Sequence, residues 1–233
     1  MYTADRPSLG WIAGQGSWTA HFSDTALEQI AELVGPLFDV STRNILPDGG
    51  AQNPVFLIAE GWGYSYYDFP DGRRHVVDVH PPGEIIGVAA ACSRHNAPRV
   101  STLTQVTAAR LDGAVLRKRQ DTSDDMARGL SRLLAAQQAD LIDQMGSLAR
   151  HTAYERVAAF LLRLYERLEK GAPTGRGVFA CPVSQQVMGD LLGLSVVHVN
   201  RSLRRLAEDG ILHKRASDVE ILDARALRRL AVG

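Results

Sequence analysis

The sequence predicts an α+β chain: an N-terminal antiparallel β-roll, one long helix, and a winged helix-turn-helix at the C-terminal end. Three observations carry that prediction. Short β-branched and aromatic runs, separated by Gly and Pro turns, fill Ala51 to Leu111. A proline-free stretch follows from Asp121 to Leu148, its leucines recurring at helical spacing. Finally, two short apolar helices are punctuated by Ser184, Gly193, Ser195 and Gly210. The corresponding domains are residues 1–120, 121–150 and 151–233.

In the first domain, VFLIAE (Val55–Glu60), YSYYDF (Tyr64–Phe69) and HVVDVH (His75–His80) read as strands. Gly61 and Gly63, Pro70-Asp71-Gly72 and Pro81-Pro82-Gly83 supply the turns between and after them, because Pro fixes φ and Gly accepts positive φ. Val100–Thr104 and Val106–Leu111 add two more strands. Upstream, Asp24 is expected to cap a helix whose Leu27, Ile30, Ala31 and Val34 share one face.

The long helix spans about 28 residues, roughly 40 Å at the α-helical rise. A small roll cannot cover that length. Leu134, Leu141 and Leu148 recur every seven residues, and Leu130, Leu133, Ile142 and Met145 widen the stripe. A second copy of the chain would bury it, so Leu130, Leu134, Leu141, Met145 and Leu148 are the expected homodimer seam. Gln137, Gln138 and Gln144 interrupt the pattern, and a helix packed wholly on its own chain is the alternative. A second helix, Tyr154 to Lys170, carries Val157, Leu161, Leu164 and Leu168 inward and stops at Gly171 and Pro173.

The last domain carries the most specific pattern. Ser184 is placed to cap Gln185–Leu192, Gly193 suits a left-handed turn, and Ser195 caps a helix running from Val196 to about Asp209. Gly189 allows the two helices to cross closely, while Met188, Leu192, Leu194, Val199, Leu203 and Leu206 supply their shared core. The opposite face of the second helix holds Val197, Asn200, Arg201 and Arg204 at three and four spacing. Those residue types suit a DNA major groove. Arginine pairs with guanine, asparagine with adenine, and an apolar tip such as Val196 or Val197 meets a thymine methyl. Ser184, Gln185, Ser195 and His198 are placed for phosphates, which position a protein without specifying sequence. ILHKR and DVEIL form a hairpin wing around Ala216-Ser217, adding Lys214 or Arg215.

Charge agrees with a double-stranded DNA partner. The whole chain is neutral, yet residues 1–150 hold 13 Lys and Arg against 17 Asp and Glu, a net of −4. Residues 151–233 hold 13 against 9, a net of +4. No signal peptide and no long apolar run is evident, which places the chain in the cytoplasm with no membrane contact.

"SQQVMGDLLGLSVVHVNRSLRRL", the long helix and "FPDGRRHVVDVHPPGEIIG" together resemble the Crp/Fnr family of bacterial transcription regulators, from about Val55 to the C-terminus. The resemblance implies a cyclic-nucleotide-binding-like roll, a homodimer on a near-palindromic site, and contact with RNA polymerase. It places Val196, Val197 and Arg201 at base-contacting positions. Arg201 keeps the arginine of the nucleotide-responsive activator, whereas the two valines replace an arginine and a glutamate. Ser202 replaces a larger apolar residue, with Leu203 beside it to compensate.

By the same resemblance the effector pocket would involve Gly87, Val88, Arg99 and Val100. Valine stands where cyclic-AMP-responsive members carry Glu and Ser, and each lost charged hydrogen bond costs about 1.5–3 kcal/mol. Cyclic AMP is therefore disfavoured and the effector is unknown. Glu84, three residues before Gly87, belongs to the preceding turn. Two cysteines, Cys92 and Cys181, exclude a four-cysteine iron–sulfur cluster. Seven histidines leave haem open, and Cys92 reads as a small buried hydrophobe rather than a redox thiol.

Two rivals remain: a DNA-binding dimer that senses no ligand, and a cupin-like metalloenzyme built on His75, Asp78 and His80. The two histidines are five residues apart, so a regular strand points them to opposite faces. No GxSxG, Walker loop or GxGxxG is present, and no catalysis is expected.

Overall fold

The computed structural model describes residues 7–71, 74–93, 97–171 and 177–232. Gly72 and Pro173, expected in a turn and a helix stop, lie outside the described residues. Two units divide the chain: one runs to Tyr67 and resumes over Val79–Ala139, the other takes Asp68–Asp78 and everything from Asp140 onward.

The first unit opens with α1 (Leu9–Ala13) and α2 (Asp24–Leu33). Ser23, not Asp24, caps α2, its hydroxyl accepting the Ala26 N–H at 3.2 Å. Asp24 is already helical and contributes its charge to the positive end of the helix instead. Then come, in chain order, β1 (Phe38–Val40), β2 (Val55–Glu60), β3 (Gly63–Asp68), β4 (Arg74–His80), β5 (Ile85–Ile86), α3 (Val88–Ser93), β6 (Arg99–Thr102) and β7 (Val106–Leu111), of which the end of β3 and most of β4 fall in the second unit. One sheet has the order β1-β7-β2-β5 and the other β4-β3-β6, as an antiparallel roll requires. The strand expected to reach Thr104 stops at Thr102, because the next two N–H groups, of Leu103 and Thr104, turn to the Trp62 carbonyl at 2.7 and 3.4 Å.

The uninterrupted apolar run of β2 has a direct cause. Its residues alternate between two cores. Val55 and Leu57 join Ile12, Phe22, Ile30 and Met126 on one face of the sheet. Phe56 and Ile58 join Phe38, Val40 and Val106 on the other. The neighbouring strand alternates in step, with Val55 opposite Leu111 and Leu57 opposite Ala109.

A helix absent from the sequence reading, α4 (Gly113–Thr122), follows β7. The Asp112 carboxylate accepts the N–H groups of Ala114 and Val115 at 2.8 and 3.3 Å and so starts it. Asp121 and Thr122 finish that helix, so the long helix α5 (Asp124–Arg150) begins three residues later than expected. Ser123, in extended conformation, separates the two and accepts the Met126 N–H at 3.3 Å. Met126, Leu130 and Leu133 are then buried in the first core, with Leu134 packed against it.

The second unit holds α6 (Ala153–Gly171), β8 (Val178–Ala180), α7 (Gln185–Leu192), α8 (Val196–Glu208), β9 (Leu212–Arg215), β10 (Asp218–Ile221) and α9 (Ala224–Val232). Buried Val157, Leu161, Leu164, Met188, Leu192, Val199, Leu206 and Leu227 form its interior. The wing is a three-stranded sheet, β8-β10-β9, rather than a lone hairpin. Its third strand brings Phe179 against Tyr165, ring centroids 5.7 Å apart.

Candidate nucleic-acid interface

The helix pair α7 and α8 is built by its caps. The Ser184 hydroxyl accepts the Val187 N–H at 3.2 Å, and the Ser195 hydroxyl accepts the His198 N–H at 3.3 Å. Between them Gly193 takes the left-handed conformation, φ 64° and ψ 36°, which a side chain would strain. Gly189 meets a different demand. Leu194 N–H donates to its carbonyl at 2.9 Å, and a Cβ on Gly189 would sit 2.6 Å from the Leu194 oxygen. The helices can approach this closely only because that atom is missing.

The second helix of the pair divides cleanly. Val199, Ser202, Leu203 and Leu206 are buried, whereas Val197, Asn200, Arg201 and Arg204 are exposed. Val196 is 38% exposed and Val197 66%, so the two apolar side chains at the start of α8 face outward. Ser202 faces inward beside Leu203, the small residue fitting where the helix is covered. Ser195 and His198 engage each other as well, hydroxyl and Nδ1 being 3.0 Å apart.

Beside this face lies a groove of about 500 Å³, bordered by polar Ser184, Gln185, Asn200, Arg204, His213 and Arg215 and by apolar Val183 and Leu203. Residues expected to meet phosphate and residues of the wing thus share one concavity. His213 is an addition that sequence reasoning missed, since a lone histidine on a short strand carries no spacing signal. Lys214 is tied back, its ammonium donating to the carbonyls of Cys181 at 2.9 Å and Ala216 at 3.4 Å. It pins the wing, while exposed Arg215 lies 3.6 Å from the Glu220 carboxylate.

A model of the Crp-like helix-turn-helix domain matches residues 155–230. The chain is 31% identical over 189 residues to the nitrogen fixation regulation protein FixK of Rhizobium meliloti, covering 81% of this chain and 83% of that protein. The chain belongs to the Crp/Fnr family of transcription regulators. It is 26% identical over 209 residues to the transcriptional activator protein FnrA of Stutzerimonas stutzeri, covering 89% of this chain and 84% of the other. Among solved structures, FixK2 from Bradyrhizobium japonicum superposes with a TM-score of 0.70 at 28% identity, covering 83% of this chain and 96% of that one. As a Crp/Fnr regulator the chain is a DNA-binding transcription regulator and not an enzyme.

The metal triad considered for an enzyme does not assemble. His75 is exposed, His80 is buried with Nε2 3.0 Å from the Ser65 hydroxyl, and Asp78 accepts Arg167 at 3.1 Å. Among the described residues no three His, Cys, Asp or Glu side chains gather as a metal ion would need.

The four positions that the Crp/Fnr resemblance assigns to an effector pocket differ in their surroundings. Gly87, at φ 93°, is a turn residue whose Cβ would meet the Pro54 carbonyl at 2.5 Å. Val88 is buried in one core and Val100 in the other, while Arg99 is exposed. Cys92 is half-buried, and burial pushes its thiol up from the ordinary value, as it does for buried Cys181.

Of the expected seam, Leu130 is covered by its own chain, a correction to the sequence reading, and Leu134 is partly so. Farther along α5 the apolar residues open outward: Leu141 is 50% exposed, Ile142 60% and Met145 68%, with Leu148 half-buried.

A cluster with no sequence signal stands behind α8. The Tyr154 hydroxyl donates to the Asp209 carboxylate at 2.6 Å, and the Arg205 guanidinium lies 4.4 Å from the Tyr154 ring centroid. Partial burial, then the bond to Asp209, push the Tyr154 phenol up to about 12. Arg205, exposed on α8, thus engages both Tyr154 and, at 3.7 Å, the Asp209 carboxylate.

Proposed function

We propose that this regulator binds a two-fold symmetric DNA site as a homodimer joined along the C-terminal half of α5. Val196, Val197, Asn200 and Arg201 read base edges in each half-site. Ser184, Gln185, Ser195, His198 and Arg204 lie against phosphates, with Arg215 from the wing. The single observation that carries this reading is the division of α8, apolar residues buried and Val197, Asn200, Arg201 and Arg204 exposed. Leu141, Ile142 and Met145 supply the apolar stripe that a second copy would cover, setting the two α8 helices about 34 Å apart for successive grooves.

The division of labour is a sensing-type roll over residues 1–120, a dimer helix over 121–150 and a reading domain over 151–233. The regulator acts in the cytoplasm and also contacts RNA polymerase. Cyclic AMP is not its effector, because Val88 and Val100 present only methyl groups where Glu and Ser would bond a ribose and a phosphate. A ligand of the roll controls binding only by favouring one arrangement of the reading helices. The same two valines favour, as a second reading, a roll that binds no ligand and only supports assembly.

Selection of bound duplexes from a random DNA pool, by purified protein without added ligand, tests the proposal. A symmetric site should emerge. Arg201→Ala should then relax sequence preference, and Gln185→Ala should weaken all sequences alike. Failure of a folded dimer to enrich any site, with or without cell metabolites, would sink it. A panel of small molecules separates the two readings of the roll, because a ligand that binds only the native state raises thermal stability.

A further inference from the structure

We infer that Arg156 is a positioning residue that ties the end of the dimer helix to the turn of the reading helices; the assignment rests on the DNA-binding dimer proposed above. Its half-buried guanidinium serves three main-chain carbonyls. Nη2 donates to Leu148 at 2.8 Å, Nε to His151 at 3.0 Å, and Nη1 to Leu192 at 3.2 Å. Leu148 lies in the last turn of α5 and His151 just beyond it, while Leu192 is the last residue of α7, directly before Gly193.

Carbonyls at a helix C-terminus have no partner within the helix and carry the negative end of its dipole. Two such ends converge on one cation here. A guanidinium suits the position because its planar fork aims several donors at fixed angles, which a lysine ammonium does not.

The arginine is itself held in place from α6. Thr152 and Glu155 form a reciprocal cap: the Glu155 carboxylate accepts the Thr152 N–H at 2.7 Å and its hydroxyl at 2.8 Å. The Arg156 N–H donates to the Thr152 carbonyl at 2.9 Å. On the other side of the link, His151 Nδ1 and the Ser147 hydroxyl are 3.0 Å apart. The last turn of α5, the two-residue link, the start of α6 and the end of α7 therefore form one hydrogen-bonded knot.

Mechanically this joins two surfaces. Met145, exposed for a second copy, lies one turn before Leu148 on α5. The other end of the knot is α7, which is locked to α8 by the Gly189–Leu194 approach. Arg156 acts through those carbonyls and not on DNA. Its removal should free the reading helices from the dimer axis without altering how one of them reads a half-site.

The test uses the full chain and three kinds of duplex: the selected symmetric site, versions with the half-sites moved one or two base pairs, and a single half-site. Arg156→Gln should keep the dimer and bind the single half-site within about twofold of wild type. On the symmetric site it should lose about tenfold, since a loosened link lowers the effective concentration of the second reading helix. Its preference for one spacing should flatten, and Arg156→Lys should recover part of both losses.

Wild-type affinity and spacing preference in Arg156→Gln would overturn the assignment. So would an equal loss on the single half-site, which would make Arg156 part of the local fold or of the DNA contact. If Arg156→Gln does not form a folded dimer, Arg156→Lys decides by the same two comparisons. Absence of any symmetric site for the wild-type protein would instead refute the DNA-binding dimer.

Discussion

Replacing Gly189 by alanine sets two effects of opposite sign against each other. Inside an exposed helix the change is favourable by up to about 1 kcal/mol, because glycine has more backbone freedom to lose. Here the new Cβ would sit 2.6 Å from the Leu194 carbonyl oxygen, well inside ordinary contact. That oxygen is not the free end of a side chain. Leu194 is bonded to the Gly189 carbonyl at 2.9 Å, and the cap of α8 follows it at Ser195. Relief therefore means moving the start of α8 by several tenths of an ångström. Forcing an extra carbon into close packing costs about 1–3 kcal/mol, and against a backbone oxygen the upper part of that range, about 2–3 kcal/mol, applies, so the net loss should be about 1–2 kcal/mol. Urea denaturation of wild type and variant measures it, and the displaced α8 should also bind its selected site more weakly. Gly146 is the control, since a Cβ there meets nothing within 4 Å in the chain. Gly146→Ala should gain about 0.5–1 kcal/mol. A Gly189→Ala protein as stable as wild type would refute the close approach as the reason for that glycine.

Three further outcomes follow from named contacts. Replacing the thymine opposite Val196 or Val197 by uracil removes one methyl and should weaken binding about fourfold for each methyl lost, from the worth of one buried carbon; Val197→Ala should bind both duplexes alike in a filter-binding comparison. Tyr154→Phe should lose about 1 kcal/mol at neutral pH, an exposed-edge hydrogen bond being worth no more. Because the folded phenol is raised from 10.0 to about 12, the wild-type advantage is complete below pH 10 and disappears as pH rises through about 12, which alkaline unfolding curves for the two proteins will show. Thr152→Ala should cost about 1 kcal/mol as a lost helix cap. The Thr152 N–H first, and its hydroxyl second, hold the Glu155 carboxyl below its ordinary value. Thr152→Ala keeps the N–H bond, so only the hydroxyl-to-carboxylate part of the wild-type advantage is present above the ordinary carboxylate range and lost as pH falls through the lowered one, measurable by acid titration of stability.

The limits of α7 agree with the sequence reading at both ends, and those of α8 to within a residue, because each boundary is carried by a residue with one local job: Ser184, Gly193, Ser195, Gly210. The strands Val55–Glu60 and Val106–Leu111 were legible for the same reason, being β-branched runs closed by turn residues. What escaped was either weakly patterned or non-local. The α4 sequence, GAVLRKRQDT, buries only Gly113 and Leu116, too few to make a stripe. β1 is three residues long and exists because β7 lies beside it, Val40 opposite Val106. The Tyr154–Asp209 bond spans 55 residues, and Arg156 reaches 36 residues to Leu192. Neither pairing has a spacing rule. The Thr152–Glu155 cap did have one, a threonine followed three residues later by glutamate ahead of an apolar run, and it could have been read.

Valine replaces a polar residue at two pairs of positions relative to the nucleotide-responsive pattern, and the structure gives the two pairs different physical meanings. Val88 and Val100 are 1% and 3% exposed, so their methyl groups are already satisfied by the cores around them. They offer nothing to a ribose hydroxyl or a phosphate. Val196 and Val197 are 38% and 66% exposed at the open end of α8, beside Asn200 and Arg201. Apolar atoms there gain nothing within the chain and gain only when a partner covers them. In the proposed complex a thymine methyl is the apolar group the major groove offers them, and Arg201 and Asn200 would take the polar edges of neighbouring bases. On the proposed binding mode, the same change of residue type strips recognition chemistry from the roll and shifts it, in the reading helix, from charge toward shape and methyl contact.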